Sequence, residues 1–307
     1  MVVDGDSTLV RNKLQIWYRA SRPFTLSASI IPVLVGSALA FRQDQFNLFL
    51  FALVIIASLL VQIGANLVDE YSDHARPERK EKLIAPYKVI ALGLLSSRAI
   101  KWGAVVCFGT ATAIGLFLIS ITGWPLLVIC LASVAVAYFH AAGSKSLSSI
   151  GLGHPLVFIF MGPVMVLGSY YVQTLTFTSE VLWISLSIGC TVTAILVVND
   201  LRDMEEDNNA GKITPVTLFG RLFGRREWTI LVIAAFLIMV TLAATVSTPL
   251  ILLSLLALIQ VTRASKTIWR ARERTELALA LRATSRLHGE LGFLLSVGVV
   301  LSRFITL

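Results

Sequence analysis

Charged residues are scarce in this chain. Asp, Glu, Lys and Arg together make up 14% of its 307 residues, whereas 56% are hydrophobic, and the mean hydropathy is +0.80. About a quarter of the residues of an ordinary soluble domain are charged. The composition therefore excludes an ordinary soluble protein and predicts an integral membrane protein.

Cysteine is also rare. The three cysteines have no metal-site or disulfide spacing, and all fall in apolar stretches: Cys107, Cys130 and Cys190. We therefore expect small core residues, and we exclude a disulfide-built domain or a thiolate metal centre.

The amino terminus lacks the apolar core of a cleavable signal peptide. Residues 1 to 23 are polar and include several charges. We predict a cytoplasmic interfacial segment here, with a helix whose Leu14, Ile16 and Trp17 face lipid. A single transmembrane domain is expected to follow, from residue 24 to 307.

Long apolar runs, in contrast, are abundant. Crossing about 30 Å of hydrocarbon takes roughly 20 helical residues. Nine such runs are found, at about residues 24 to 42, 48 to 68, 100 to 121, 124 to 141, 152 to 172, 181 to 200, 227 to 247, 248 to 264 and 288 to 306. We predict an all-α membrane protein with nine transmembrane helices.

The few basic residues are distributed on one side. With the amino terminus in the cytoplasm, all of the 26 Lys and Arg residues lie inside except Arg42 and Arg303. This agrees with the positive-inside rule and predicts an integral protein of the cell (inner) membrane. Anionic lipid and a phosphorylated substrate account for the net charge of +8, so no nucleic-acid partner is expected.

An acidic segment follows the sixth predicted span. Asp200, Asp203 and Asp207 are spaced i, i+3 and i+7, and Asn199 precedes Asp203 by four residues. If the helix continues past Val198, the three carboxylates lie on one face. Such oxygen ligands suit a hard divalent cation such as Mg²⁺, which often shares them with a phosphate. The alternative is a solvated acidic helix end.

The same spacing occurs at the end of the second predicted span, in Asn66, Asp69, Glu70 and Asp73. Two clusters at the ends of even-numbered spans predict two similar four-helix halves plus a final helix, with the site where the halves meet. Ionisable groups near membrane depth are costly and usually functional. Both clusters are therefore predicted to face the cytoplasm and to bind metal.

Basic residues accompany both clusters, including Lys88 after the first and Arg202 and Lys212 with the second. Carboxylates that hold Mg²⁺ beside cations that hold phosphate form a site for a metal-diphosphate. Part of this positive charge only reflects topology.

Other polar residues allow two interpretations each. Arg22 either snorkels at the surface or points into a polar cavity, and the lone Lys145 of its loop is a weak candidate phosphate ligand. His140 and His154 are either acid/base groups or histidines satisfied at helix ends. Met161-Gly-Pro163 predicts a kink, and the arginine-rich stretch from 265 to 287 is interpreted as a surface helix without a role in chemistry.

The run from Asn199 to Thr214 resembles the UbiA superfamily of intramembrane prenyltransferases, and within it the MenA-like branch, which prenylates 1,4-dihydroxy-2-naphthoate on the way to menaquinone. The likeness extends over nearly the whole chain. It includes Arg22-Pro23 at the opening, Gly162-Pro163 through Gln173-Thr174, and His288-Gly289 near the end.

The resemblance implies a nine-helix UbiA-type bundle in which Mg²⁺ binds the diphosphate of a polyprenyl donor. It assigns Asn66, Glu70 and Asp73 to the first motif and Asp200, Asp203 and Asp207 to the second. We add Asp69 and Asn199 as further metal ligands and expect Asp73 and Asp203 to be catalytic. Lys145, Arg202 and Lys212 are the implied diphosphate contacts, to which we add Arg22.

The chain departs from the branch at two places. The branch usually begins its first motif Asn-Asp, where this chain has Asp69-Glu70, and it usually carries a glutamate in place of His154. We place His154 near the acceptor and expect His154→Glu to retain activity on dihydroxynaphthoate. The alternatives are a prenyltransferase for another aromatic acceptor and, from another class, a divalent-cation or proton-coupled transporter.

Overall fold

The structure, a computed structural model, describes residues 13–75, 88–141, 146–245 and 249–305. In these ranges the chain is mostly helical, and no strand forms beyond an isolated bridge between Ile150 and Ile213. The α-helices are α1 (Lys13–Ala20), α2 (Ser27–Arg42), α3 (Leu48–Ala75), α4 (Ser97–Thr122), α5 (Trp124–Ala141), α6 (Gly153–Ile159), α7 (Met165–Thr174), α8 (Ser179–Asn209), α9 (Pro215–Thr245), α10 (Leu258–Arg270) and α11 (Arg274–Leu301).

Within the described residues, each predicted span is helical. The span at 152 to 172 comprises α6, a π-helical turn and α7, and the span at 248 to 264 comprises a 3-10 helix (Pro249–Ala257) and the first part of α10. By length and composition, seven segments of the described chain are able to cross a membrane: Pro23–Arg42, Leu48–His74, Ser97–Thr122, Gly153–Thr174, Ser179–Asn209, Pro215–Thr245 and Pro249–Arg270. Trp124–His140 is apolar but shorter, and α11 is not among the seven. The predicted helical membrane bundle is confirmed, whereas the count of nine and the division into two halves stay predictions.

Helices α3 and α8 extend beyond their apolar parts, as the acidic patterns require. Helix α8 starts at the Thr178 side chain, which accepts a hydrogen bond from the Val181 N–H, and it continues to Asn209. The next turn contains Gly211 with φ of 64°, a conformation that favours glycine. The prediction that the helix continues past Val198 is confirmed.

The kink predicted at Met161-Gly-Pro163 takes the form of a π-helical turn over Phe160–Val164, between α6 and α7. Proline has no N–H to donate to the preceding turn, so a wider turn accommodates it. A Cβ on Gly162 would lie 2.5 Å from the Cα of Gly189, so α8 packs backbone to backbone against this turn.

Helix α1 packs differently from the prediction. It is helical, and Leu14 is 75% exposed as expected. However, Ile16 and Trp17 pack against a small core formed with α3 and α4 instead of facing lipid. Gly103 makes room for the indole, because a Cβ there would lie 2.7 Å from the Trp17 ring. The prediction for these two side chains was wrong.

The two basic residues expected on the outer side are both paired with acids. Arg42, at the end of α2, lies 2.5 Å from Glu180 at the start of α8. Arg303 forms an ion pair with Asp44 and donates to the Phe41 carbonyl. This end of the bundle is therefore close to neutral, in contrast to the end that carries the acidic motifs.

Candidate active site

The second acidic motif occupies the inward face of α8. Asp200, Asp203 and Asp207 are only 3%, 8% and 4% exposed. Glu205, on the opposite face, has a side chain that is 83% exposed. The i, i+3, i+7 spacing thus places three carboxylates together inside the protein, and a fully solvated helix end is excluded for this motif.

Lys212 lies over two of these carboxylates. Its Nζ is 2.9 Å from Asp207 Oδ2 and 3.7 Å from Asp200 Oδ1. The turn after α8 brings it there, because the Lys212 N–H donates to the Asp207 carbonyl at 2.8 Å. Burial alone lowers the pKa of Lys212, but the charges of Asp200, Asp207 and Asp203 outweigh burial and raise it. Lys212 is therefore a permanent cation at physiological pH.

Two arginines bind Asp203. Arg202 donates to both of its oxygens, at 2.9 Å and 2.6 Å, and also to Asn199 Oδ1 at 2.8 Å. Arg274, at the start of α11, donates to Asp203 Oδ1 at 3.0 Å and pairs with Glu206. The interpretation of residues 265 to 287 as lacking a role at the site was wrong for Arg274, since its guanidinium contacts the motif directly.

His154 connects the same motif to α9. Its Nε2 lies 3.2 Å from Asp200 Oδ2, and its Nδ1 lies 2.7 Å from Glu227 Oε1. The ring is 4% exposed. Glu227 lies outside both acidic spacing patterns of the sequence. The signal available in the sequence was that Glu227 is a single acidic residue between Arg225-Arg226 and an apolar span.

The first motif, on α3, has a buried member that anchors the following chain. Glu70 is 2% exposed, and its Oε1 accepts a hydrogen bond from the Ile90 N–H at 3.0 Å. Lys88 pairs with Glu70 Oε2 at 3.4 Å and with Asp73 at 2.5 Å. Lys88 therefore forms an ion pair with Asp73, as Lys212 does with Asp207.

The other two members of the first motif contact the start of the bundle. Asn66 donates to the Ser21 carbonyl at 2.8 Å and to the Thr25 hydroxyl at 3.0 Å. Asp69 accepts from Arg22 at 3.3 Å, and its side chain is 45% exposed. Arg22 thus contacts the first motif through Asp69.

A hydrogen bond and an electrostatic influence place the loops near the two motifs at the same end of the bundle. The Ile213 N–H donates to the Ser149 carbonyl at 2.9 Å, which joins the loop before α6 to the loop of Lys212. The half-buried His140 is within electrostatic range of Asp69 and also of Asp200 and Lys212. Lys145 lies outside the described residues, so its predicted role stays a prediction.

Comparison with known proteins identifies the family. Residues 29–288 match the UbiA prenyltransferase family. The chain belongs to this family. It is therefore a prenyltransferase, and the transporter alternative loses its support.

Curated UbiA relatives cover most of the chain. The 1,4-dihydroxy-2-naphthoate octaprenyltransferase of Bacillus subtilis is 28% identical over 291 residues, 94% of each protein. The enzyme of the same name from Mycobacterium tuberculosis is 29% identical over 273 residues, 87% of this chain and 91% of the relative.

Solved UbiA structures share the fold. A homologue from Archaeoglobus fulgidus bound to GPP and Mg²⁺ has a TM-score of 0.64 at 12% identity and covers 92% of this chain and 99% of its own. An apo homologue from Aeropyrum pernix K1 has a TM-score of 0.63 at 16% identity, with 90% and 97% coverage. At such low sequence identity, the structural similarity supports only the fold, a helical bundle.

The carboxylate oxygens of this candidate site suit Mg²⁺, but lysine and arginine side chains are paired with them. Asp200 Oδ1 and Glu70 Oε2 are buried without a hydrogen bond, and each faces a lysine. Among the residues described, no three His, Cys, Asp or Glu side chains converge on one metal position. Carboxylate oxygens are the ligands that Mg²⁺ prefers, so these residues fit the ion by the chemistry of their donor atoms.

Proposed function

We propose that this chain transfers a polyprenyl group from an allylic diphosphate to 1,4-dihydroxy-2-naphthoate, in a Mg²⁺-dependent step of menaquinone biosynthesis. One observation carries the proposal: carboxylates at one end of an apolar bundle are paired with lysines and arginines. The buried ones are Asp200 and Asp207 with Lys212, and Asp203 with Arg202 and Arg274, and the partly buried Asp73 pairs with Lys88. A metal ion and a diphosphate are the ligands that together satisfy both sets of charges.

In the proposed complex the carboxylates of Asp73, Asp200, Asp203 and Asp207 hold Mg²⁺, and Asn66, Asp69, Glu70 and Asn199 are further candidate ligands. When bound, Mg²⁺ neutralises the charge that develops on the diphosphate leaving group. The cations released from the carboxylates turn to the phosphate oxygens. We assign this role to Arg22, Lys145, Arg202 and Lys212 from the sequence, and to Arg274 from its contact with Asp203.

The rest of the proposed reaction depends on excluding water. Departure of the diphosphate leaves an electron-poor allylic carbon, which water would capture. Immediately deeper in α8 than Asp200 the buried side chains are apolar, as at Ala194, Val197 and Val198. An electron-rich aromatic ring then forms the new bond at C1 of the prenyl chain, and the ring loses the carbon dioxide of its carboxylate to recover aromaticity.

The choice of acceptor has support from the relatives. Five curated proteins among those similar to the chain are named 1,4-dihydroxy-2-naphthoate octaprenyltransferase. The Asp69-Glu70 sequence and His154 distinguish this chain from the branch pattern. The second candidate acceptor class is a monocyclic phenol, because His154 replaces an acid near the predicted acceptor position.

The decisive assay uses the purified chain with Mg²⁺, a polyprenyl diphosphate and a panel of acceptors, with products measured by mass spectrometry. We expect a prenylated naphthoquinol from dihydroxynaphthoate and no product in excess chelator. Turnover of 4-hydroxybenzoate or homogentisate without any naphthoquinol would overturn the acceptor. No prenyl transfer to any acceptor would overturn the proposed reaction.

We also propose that the site faces the cytoplasm. In a variant without native cysteines, Asn208→Cys places a thiol on the exposed end of α8, and Gln45→Cys places one at the opposite end of the bundle. An impermeant maleimide is expected to label position 208 only in inverted vesicles and position 45 only in intact cells. The reverse pattern would refute the orientation.

A further inference from the structure

Three polar side chains form a hydrogen-bonded line that ends at Asp200 of the candidate site. Glu227 on α9, His154 on α6 and Asp200 on α8 come from three separate helices, and the imidazole lies between the two carboxylates at 2.7 Å and 3.2 Å. His154 and Asp200 are almost fully buried, and the Glu227 side chain is 21% exposed. An ionised carboxylate only accepts hydrogen bonds, so His154 donates where it contacts one.

The two oxygens of Asp200 have different environments. His154 occupies Oδ2, whereas Oδ1 is buried, has no hydrogen bond and is directed toward Lys212 at 3.7 Å. A carboxylate held through one oxygen presents the other in a fixed direction. Partners behind a ligand commonly orient metal-binding carboxylates and histidines in this way.

Glu227 in turn fixes the imidazole. With its Nδ1 held at 2.7 Å, the ring cannot rotate away from Asp200 without losing a short hydrogen bond in a buried position. A neutral imidazole has a single N–H donor, which one acceptor satisfies. Two carboxylates from two other helices are more than packing requires.

We propose that Glu227 and His154 act as positioning residues for Asp200 and set the affinity of the site for the divalent cation. The inference rests on the proposed function, because it assumes that Asp200 is a metal ligand. It also reverses the expectation for His154→Glu, since a third carboxylate between Asp200 and Glu227 would meet like charge on both sides.

The test measures metal binding apart from turnover. Mn²⁺ binding to the full chain is followed by electron paramagnetic resonance in the presence of an unreactive prenyl thiolodiphosphate. We expect Glu227→Ala and His154→Ala each to weaken Mn²⁺ binding about 10- to 100-fold. Because Glu227 acts through His154, the double variant should be no weaker than His154→Ala alone. The matched control is Glu205→Ala, which removes an exposed acid from the far face of α8.

Steady-state kinetics supply a second readout. The half-saturating Mg²⁺ concentration and the KM for the prenyl diphosphate should rise in Glu227→Ala, with the KM for the acceptor unchanged. Wild-type Mn²⁺ affinity in Glu227→Ala, effects that multiply in the double variant, or a change confined to the acceptor KM would each overturn the inference. If Glu227→Ala fails to fold, Glu227→Leu, which fills the space without an acceptor, is measured with the same criteria.

Failure of the proposed function has a different signature. If the wild-type chain binds no Mn²⁺ with the analogue and transfers no prenyl group, the proposed function fails and the inference fails with it. If the wild type does both and Glu227→Ala matches it, only the inference fails.

Discussion

The acidic motif on α3 differs from the motif on α8 in what its side chains contact. On α8, the three aspartates lie inside the protein and are bound by side chains: Lys212, Arg202, Arg274 and His154. On α3, Asn66 and Glu70 contact backbone groups at Ser21 and Ile90. Among the contacts described for the other two members, Asp69 pairs with Arg22 and Asp73 pairs with Lys88, and the Asp69 side chain is 45% exposed.

The comparison shows that two acidic motifs with the same residue spacing can have different contacts and therefore different roles. On α3, Asn66 and Glu70 hold neighbouring segments of the chain. Asp73 is therefore the member of this motif that corresponds to the aspartates of α8. A buried carboxylate that accepts a backbone N–H contributes mainly to the fold, because its loss leaves that donor unpaired. A carboxylate paired with mobile lysine or arginine side chains can exchange partners.

The largest effect on turnover is expected from one aspartate of each motif, because we assign the same role to both. Asp203→Ala and Asp73→Ala should each lower turnover about 100- to 1,000-fold or more, because each removes charge from the proposed metal site. The rate of prenyl transfer measures this, with Glu205→Ala as the control of equal charge change. Full activity in either variant would remove that residue from the site.

A smaller effect, on stability, should separate the members of the first motif. Glu70→Ala leaves the Ile90 N–H without its partner and should cost about 1 to 3 kcal/mol. Asp69→Ala removes a half-exposed ion pair and should cost less than about 1 kcal/mol. Reversible unfolding in mixed micelles compares the two. Equal losses would mean that Glu70 does not anchor the following chain.

The smallest effect should distinguish the two lysines. Lys212 faces two aspartates, whereas Lys88 is shared between Asp73 and Glu70, which also accepts the Ile90 N–H. Lys212→Ala should therefore raise the KM for the prenyl diphosphate about tenfold, more than Lys88→Ala does. The KM for the acceptor, measured in the same variants, should stay constant. A larger change for Lys88→Ala would make the first motif the main diphosphate site.

Much of the helical architecture could be predicted from the sequence. Apolar run length located the helices, and the carboxylate spacing correctly required α8 to continue beyond Val198. The kink at Pro163 followed from a missing N–H. These features depend on residues close together in the chain, so local patterns are sufficient to find them.

Long-range contacts could not be predicted in the same way. Arg274 reaches Asp203 from another helix, and Glu227 reaches Asp200 only through His154. Trp17 was expected in lipid, but the absent side chain of Gly103 creates its place in the protein. No periodicity records such pairings, because they arise only when helices that are distant in sequence pack together.

In the proposed site, the cations that cover the carboxylates would also make binding selective for a combination of ligands. A metal ion alone must displace lysine and arginine from the aspartates, and a diphosphate alone must draw those cations away from them. Either exchange leaves buried charge unpaired, which is costly. A metal ion bound to a diphosphate supplies partners for both sets at once. Mg²⁺ and the prenyl diphosphate should therefore increase each other's affinity by the same factor, and free Mg²⁺ in the cell should not saturate the site ahead of its substrate.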